Sequence, residues 1–194
     1  MSRINYIFVD FENVQKTDLD RIANRPVEVR LVLGERHKSL PVKLVKLIQK
    51  FPDQVQLIET GLNGKNALDF VLACEIGGES AKNPDGYFHV LSRDKGFDAL
   101  IRHLKDKGVL AARHESFSEI PVLMKPAERT KLLAAHFKAN QTSRPKKRKT
   151  LESQIQAVFG KTLQPEEIDN TIRGLVAEKI ITLSETGMVA YKIS

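Results

Sequence analysis

Apolar residues in the first part of this chain fall into short runs, separated by segments in which they recur at a helical period. The runs predict strands over residues 6–9, 27–33, 54–59, 86–91 and 109–112. The other segments predict helices over residues 17–23, 40–50 and 66–76, the last ended by two glycines, and a helix from Phe97 that Gly108 ends. Strands that alternate with helices form a parallel sheet covered on both faces. We therefore predict a doubly wound α/β domain.

A different pattern begins at Pro126, which can start one more helix before a basic segment at residues 144–149. Residues 151–194 predict two short helices and a hairpin that turns at residues 185–187. This is the order of the later part of a winged-helix unit. The predicted organisation is a domain over 1–139, a basic linker over 140–150 and a small winged-helix-like α+β module over 151–194. Because the module is small, we expect it to dock on the first domain, on a second copy of the chain or on another protein.

Composition narrows the class of protein. The chain has 194 residues, of which 41% are hydrophobic, and this suits a globular domain with an appended module. No stretch approaches the roughly 18 apolar residues of a membrane span, and the N-terminus does not resemble a signal peptide. Cys74 is the single cysteine, so an internal disulfide and a cysteine-based zinc site are excluded. We expect a cytoplasmic protein that does not associate with membranes.

The net charge of +7 is concentrated in one segment. Residues 140–150 contain five basic side chains and no acidic one, namely Arg144, Lys146, Lys147, Arg148 and Lys149. Such a segment attracts polyanions through counterion release. From composition alone, a linker that its charge keeps solvated is an equally good interpretation.

Three acidic clusters carry the candidate chemistry. Asp10 and Asp94 each follow a predicted strand, and Asp69 lies on the predicted helix between them. Parallel strands deliver the residues that follow them to one edge of a sheet. Carboxylates gathered there repel each other by about 4 kcal/mol per pair at ~4 Å with an effective dielectric constant of ~20. A divalent cation is therefore the natural partner.

Bound divalent cations can neutralise a phosphodiester, deprotonate a water and stabilise the leaving oxygen. Mg²⁺ and Mn²⁺ are the metals that suit carboxylate ligands, and the five histidines show no paired spacing that would favour zinc. No G-x-G-x-x-G follows the first strand, which disfavours a dinucleotide cofactor. The acidic clusters thus indicate metal-dependent phosphoryl transfer.

Each candidate also has a simpler interpretation. Asp10 and Asp94 could be turn or helix-capping residues, and Asp98 could be an acidic residue that complements a helix dipole. Asp69 could form an intrahelical ion pair with Lys65, four residues earlier. Ser92 could bind a carboxylate or phosphate, although serine is common in turns after strands.

The segments 8–13, 65–69 and 91–97 resemble the NYN group of PIN-like ribonucleases, most specifically in the D-x-E-N sequence at residues 10–13. The resemblance covers about residues 3–115 and implies a Rossmann-like PIN fold, a Mg²⁺ or Mn²⁺ site and endonucleolytic cleavage of RNA. It implies that Asp10, Asp69 and Asp94 are metal ligands. Gly96 stands where the group usually has a second aspartate, so either Asp98 replaces it or the site holds only one ion firmly. The C-terminal segment is loosely similar to winged-helix modules of the OST-HTH/LOTUS type.

The predicted function is that of a metal-dependent endoribonuclease. The predicted metal ligands and catalytic residues are Asp10, Asp69, Asp94 and Asp98, with supporting roles for Glu12, Asn13, Asn66, Glu75 and Ser92. The predicted partner is RNA, preferably single-stranded. The residues predicted to contact it are Lys65, Arg93, Lys95, Arg144, Lys146, Lys147, Arg148 and Lys149. A non-catalytic nucleic-acid-binding or scaffold protein with a decayed site is the alternative. A small-molecule phosphatase is disfavoured because Glu12 and Val14 break the D-x-D-x-T/V motif.

Overall fold

The structure is a computed structural model that describes residues 3–35, 37–61, 64 and 66–193. It divides into two compact units, Met1–Leu123 and Met124–Ser194.

The first unit contains a five-stranded sheet whose strands all pair in parallel. Along the sheet the order is β3-β2-β1-β4-β5, so β1 lies at the centre. The strands are β1 (Asn5–Asp10), β2 (Val27–Leu33), β3 (Val55–Glu59), β4 (Tyr87–Leu91) and β5 (Leu110–His114). The predicted α/β class with a central parallel sheet is confirmed.

Helices cover both faces of this sheet. Successive residues of each strand point to opposite sides, and both sides carry apolar side chains that are buried under helices. On one face, Ile7 and Val9 of β1 pack in a core with Leu44 of a helix between β2 and β3. On the other face, Tyr6 and Phe8 pack in a core with apolar residues of two further helices. These helices are α1 (Val42–Lys50), α2 (Ala67–Lys82) and α3 (Phe97–Asp106).

Two helix predictions in this unit were wrong in length. Residues 17–23 form only a 3₁₀ turn at Leu19–Ile22. Helix α2 does not stop at Gly77 and Gly78 but continues to Lys82, because these glycines keep helical geometry on an open surface. The helix ends at Asn83, where the following Pro84 disfavours a helical conformation.

The second unit contains three helices followed by a two-stranded antiparallel hairpin. The elements are α4 (Pro126–Ala139), α5 (Arg148–Val158), α6 (Pro165–Ala177), β6 (Ile181–Leu183) and β7 (Val189–Tyr191). Their buried side chains form one core that includes Leu133 and Phe137 of α4. The unit boundary therefore falls after Leu123 rather than at the predicted residue 139, because α4 buries its apolar face in this core. The relationship to winged-helix modules stays a prediction.

The predicted linker over residues 140–150 is a folded part of the second unit. Arg144 donates hydrogen bonds to the carbonyl oxygens of Phe137 at 2.7 Å and Ile193 at 3.0 Å. Lys147 forms an isolated antiparallel bridge with Met188, and α5 begins at the next residue. Arg144 and the backbone of residues 146–148 thus have hydrogen-bond partners in the fold, which composition alone did not indicate.

None of the helices in the described part of the chain is both long enough and apolar enough to cross a membrane.

Candidate functional site

Asp10 lies at the end of the central strand β1 and is fully buried. Its Oδ2 accepts hydrogen bonds from the Asn13 side-chain amide at 2.6 Å and from Ser92 Oγ at 2.7 Å. Its Oδ1 also accepts one from the Asn13 backbone N–H at 3.2 Å. These donors fix the orientation of a carboxylate that a buried position would otherwise disfavour. Asn13 and Ser92 therefore contact Asp10 directly, and their supporting roles in a metal site stay predictions.

Ser92 connects Asp10 to Asp94. The buried Ser92 hydroxyl donates to Asp10 and accepts a hydrogen bond from the Asp94 backbone N–H at 3.0 Å. Asp94 Oδ1 in turn accepts a hydrogen bond from the Gly96 N–H at 2.7 Å. A Cβ at residue 96 would lie 3.1 Å from Asp94 Oδ1, so glycine leaves room for this tight turn. The loop between β4 and α3 thus places Asp94 beside the end of β1.

Asp69 lies in the first turn of α2 and belongs to the same electrostatic cluster. Desolvation raises the pKa of its carboxyl, and the negative charges of Asp10, Asp94 and Glu12 raise it further. An acidic residue in a first helical turn is normally stabilised by the helix dipole. At Asp69, desolvation and the neighbouring carboxylates act in the opposite direction and raise the pKa.

Glu12 also belongs to the cluster, as the weakest of the three carboxylates that act on Asp69. Its carboxylate lies against Gly34, directly after β2, where an added Cβ would overlap Glu12 Oε1. In the sequence, the only sign that Glu12 packs here is the glycine at position 34, directly after the predicted strand. The clustered carboxylates are therefore those of Asp10, Glu12, Asp69 and Asp94.

Asp98 is not one of the charges that act on Asp69. Its carboxylate accepts a hydrogen bond from Arg113 Nε of β5 at 2.7 Å, and the hydrogen bond raises the pKa of Arg113. Arg113 Nη1 also donates to the Ser92 carbonyl oxygen at 2.9 Å. Asp98 therefore orients Arg113 in this structure, and a role for it as a metal ligand is not proposed below. Arg113 itself was not indicated by the sequence, because the predicted last strand stopped at residue 112.

A family model of the PIN domain, PIN7, matches residues 4–114, which is more than half of the chain. The chain belongs to the PIN domain family. PIN domains are generally metal-dependent nucleases. No curated protein and no solved structure matches the chain. The NYN subgroup therefore stays a prediction.

The acidic cluster of this PIN domain fits a divalent cation in its chemistry. All four clustered groups are carboxylates, the oxygen ligands that Mg²⁺ and Mn²⁺ prefer. The pKa of Asp69 is raised by desolvation and then by negative charge, which a cation would neutralise. Among the residues that the structure describes, however, no three acidic, histidine or cysteine side chains are close enough together to hold a metal ion. Metal binding would therefore draw the carboxylates closer together.

The other predicted site residues of the PIN domain differ in their exposure and in their relation to the cluster. Asn66 is exposed directly before α2, in a left-handed conformation with a φ of 63°. Glu75 lies on α2 but is not among the charges that act on Asp69. Arg93 and Lys95 are exposed on either side of Asp94. Lys65 lies outside the described residues.

The predicted RNA-contacting residues of the basic segment divide into two groups. Arg144 binds backbone carbonyls, and Arg148 pairs with Glu152 at 2.9 Å and with Asp169 at 2.7 Å. By contrast, Lys146, Lys147 and Lys149 are exposed lysines. The two arginines therefore serve the fold of the second unit, while the three lysines present positive charge to solvent.

Proposed function

We propose that this chain is a metal-dependent endoribonuclease of the NYN type that cleaves single-stranded RNA with Mg²⁺ or Mn²⁺. The observation that supports it best is the electrostatic coupling of Asp69 to Asp10 and Asp94, residues that are far apart in sequence. A structural helix cap would not require three carboxylates in one place. Repulsion of this kind is retained where a cation or a reacting group makes use of it.

Asp10, Asp69 and Asp94 would hold the cation in this proposal. The bound metal would supply charge neutralisation at the scissile phosphate and a water of lowered pKa. Ser92 and Asn13 keep Asp10 in one orientation through the hydrogen bonds described above. Glu12 is exposed at the margin of the cluster, where its carboxylate can bind and orient a water.

Positive side chains on both units would contact the RNA backbone. Arg93 and Lys95 are exposed beside Asp94, and three exposed lysines near the start of α5 carry positive charge on the second unit. Such contacts give affinity without sequence preference. A contact from Lys65 and a protein partner or second copy bound through the C-terminal unit stay predictions.

The test is cleavage of a labelled single-stranded RNA by purified protein with Mn²⁺. We expect Asp94→Asn to lose cleavage by at least 100-fold while RNA retention is largely unchanged, because the variant removes a ligand charge and keeps the Oδ1 that accepts the Gly96 N–H. Asp98→Asn is the matched control and should keep cleavage within a few-fold. If Asp94→Asn cleaves as well as the unaltered protein, Asp94 is not in the active site.

A second candidate is a nucleic-acid-binding protein with a decayed PIN site. It is favoured by the absence, in the described ranges, of a three-ligand group, and by the pairing of Asp98 with Arg113. Calorimetric titration with Mn²⁺ distinguishes the two functions. The nuclease should take up Mn²⁺ in a way that Asp94→Asn weakens at least tenfold, whereas a decayed site should show no uptake that depends on Asp94.

A further inference from the structure

A groove opens beside the acidic cluster, between the start of α2 and the start of α3. Its volume is about 280 Å³. Asp69 and Asp94 form its polar side, and its apolar side consists of Phe70 and Ala73 of α2 with Phe97 and Leu100 of α3. The groove is therefore continuous with the proposed active site. Its size suits one flat ring system rather than a large ligand.

Phe70 is the distinctive residue of this groove. Its side chain is 71% exposed, and it is the one aromatic side chain among the large exposed apolar residues that the structure describes. Its ring follows directly after Asp69 in α2, whereas Phe97 on the opposite wall is buried. An exposed apolar residue needs no explanation when it stands alone on a surface. A ring that lines a groove next to clustered carboxylates is a different case.

The charges around the groove indicate which ligand it takes. Asp69 and Asp94 would repel an anion in the absence of a cation, but Arg93 and Lys95 are exposed in the loop that carries Asp94. A nucleotide combines the features that match this arrangement, since its phosphate is an anion that binds metal and basic side chains and its base is a flat ring. Proteins that bind single-stranded RNA stack unpaired bases on exposed aromatic rings.

We propose that Phe70 is a stacking platform for a nucleobase of single-stranded RNA, next to the nucleotide whose phosphate lies at the acidic cluster. The Asn66 amide lines the same groove and can form hydrogen bonds with the edge of that base. The platform makes the site selective for unpaired strands, because a base held in a duplex cannot reach the ring. This inference rests on the proposed RNA substrate but not on cleavage.

The chain contains no tryptophan, so Phe70→Trp introduces a single fluorescent reporter into the groove. We expect a single-stranded RNA oligonucleotide, added to the full chain with Ca²⁺, to quench the emission at least twofold. Ca²⁺ offsets the charges of the carboxylates but differs from Mg²⁺ in its preferred geometry, and gel electrophoresis of the same sample verifies that the oligonucleotide is intact. An abasic oligonucleotide, which has the same number of sugars and phosphates but no bases, should not quench the emission. Val42→Trp is the matched control, because Val42 on α1 is also 71% exposed but does not line the groove. It should show no quenching.

Affinity gives a second readout. Phe70→Leu keeps an apolar side chain but removes the ring, and it should weaken RNA binding about 5- to 150-fold, the factor for one stacked base. Phe70→Tyr keeps the ring and should bind within about twofold of the unaltered protein. Because Phe70 is exposed, both variants should fold normally, as circular dichroism can verify.

The outcomes separate this inference from the proposed function. If the unaltered protein retains and cleaves RNA while Phe70→Trp is not quenched and Phe70→Leu binds normally, the stacking platform is refuted and the nuclease stands. Equal quenching by the oligonucleotide without bases, or at Val42→Trp, also refutes it. Quenching without any cleavage supports the platform and refutes the nuclease. If no single-stranded RNA is retained at all, both are refuted.

Discussion

At the scale of single residues, the acidic cluster is a set of like charges that destabilises the fold to which it belongs. Asp10 is compensated by three hydrogen bonds, but the pKa of Asp69 is raised by desolvation and by its carboxylate neighbours. A carboxyl whose folded pKa is raised lowers stability at every pH where it is ionised. This cost is an expected property of a site that needs negative charge for its function.

Removing the Asp69 charge should therefore stabilise the metal-free protein. In EDTA at pH 7 and low salt, we expect Asp69→Asn to raise the free energy of unfolding by about 0.2–1 kcal/mol, a small gain because the carboxyl is partly exposed. Chemical denaturation measures the effect. Glu75→Gln, on the same helix but not among the charges that act on Asp69, should show no comparable gain. A less stable Asp69→Asn protein would contradict the proposed repulsion.

At the scale of elements, the β4–α3 loop is held by a residue from the neighbouring strand β5. Arg113 binds the Ser92 carbonyl oxygen and Asp98, and Ser92 binds Asp10 and the Asp94 backbone. Arg113 is thus a positioning residue that acts on the cluster through Ser92. Through Ser92, an edge strand thus takes part in arranging Asp10 of β1 and Asp94 of the β4–α3 loop.

Replacing Arg113 should affect both stability and catalysis. We expect Arg113→Met to lower the free energy of unfolding by about 1–3 kcal/mol, since it removes charge-assisted hydrogen bonds from a side chain that is largely buried. In the proposed nuclease, kcat should fall more than KM changes, because the carboxylates lose alignment. Asp98→Asn leaves the bond to Ser92 in place and should have a smaller effect on both. If the two variants had equal effects, the ion pair between Arg113 and Asp98 would account for the role of Arg113, and its hydrogen bond to Ser92 would contribute nothing.

A second interaction between neighbouring elements is the contact of His89 in β4 with His114 in β5. His89 Nε2 lies 3.0 Å from Asn5 Oδ1, and His89 Nδ1 lies 3.1 Å from His114 Nε2. Because the Asn5 oxygen only accepts, His89 Nε2 donates, and His114 donates to His89 Nδ1. Burial lowers the pKa of both side chains, to about 4 for His114. Both histidines are therefore neutral in the folded protein at pH 7.

This pair should make the fold sensitive to mild acid. The unfolded chain takes up protons near pH 6.5 and the folded His114 only near pH 4, so stability is complete above 6.5 and falls as the pH drops toward 4. We expect a loss of about 2 kcal/mol between pH 7 and 5 from His114 alone. Urea denaturation at both pH values measures it. His114→Gln should reduce this loss, whereas the exposed His103→Gln should not.

The strands show how much of this arrangement could be predicted from the sequence. Residues 6–9 form an apolar run and residues 27–33 are rich in β-branched and other apolar residues, so the parallel sheet and the position of Asp10 at the end of its central strand were predicted correctly. The coupling of Asp10, Asp69 and Asp94 follows from this topology. The partner of Asp98 could not be predicted, because Arg113 is 15 residues away on an adjacent strand and nothing local indicates the pairing. Likewise, the exposure of Phe70 depends on tertiary packing, since the residues around it in the sequence, apart from Asp69, are apolar.

At the scale of the whole molecule, positive charge is distributed unequally between the two units. Residues 1–123 contain 18 Lys and Arg against 17 Asp and Glu, whereas residues 124–194 contain 13 against 7. The nearly neutral first unit carries the acidic cluster, and the second unit carries almost all of the excess positive charge. Long-range attraction of RNA should therefore come mainly from the second unit, and chemistry from the first.

The basic segment allows this division to be tested, because its arginines and lysines have different partners. We expect replacement of Lys146, Lys147 and Lys149 by Gln to weaken RNA binding and to reduce the slope of log affinity against log salt by about 2, or about 0.7 for each lysine that neutralises a phosphate. Stability should stay within about 0.5 kcal/mol, since all three lysines are exposed. Filter retention across a salt series measures the slope.

Arg144→Met is the informative contrast within the same segment. It removes the hydrogen bonds to the Phe137 and Ile193 carbonyls, so it should destabilise the second unit by about 1–3 kcal/mol, measured by amide hydrogen exchange in residues 126–193. Its effect on the salt slope should be small at temperatures where the unit stays folded. If Arg144→Met lowered the slope as much as one lysine replacement and left exchange unchanged, Arg144 would be an RNA contact after all. The charge of the Arg144 guanidinium would then strengthen RNA binding rather than stabilise the second unit.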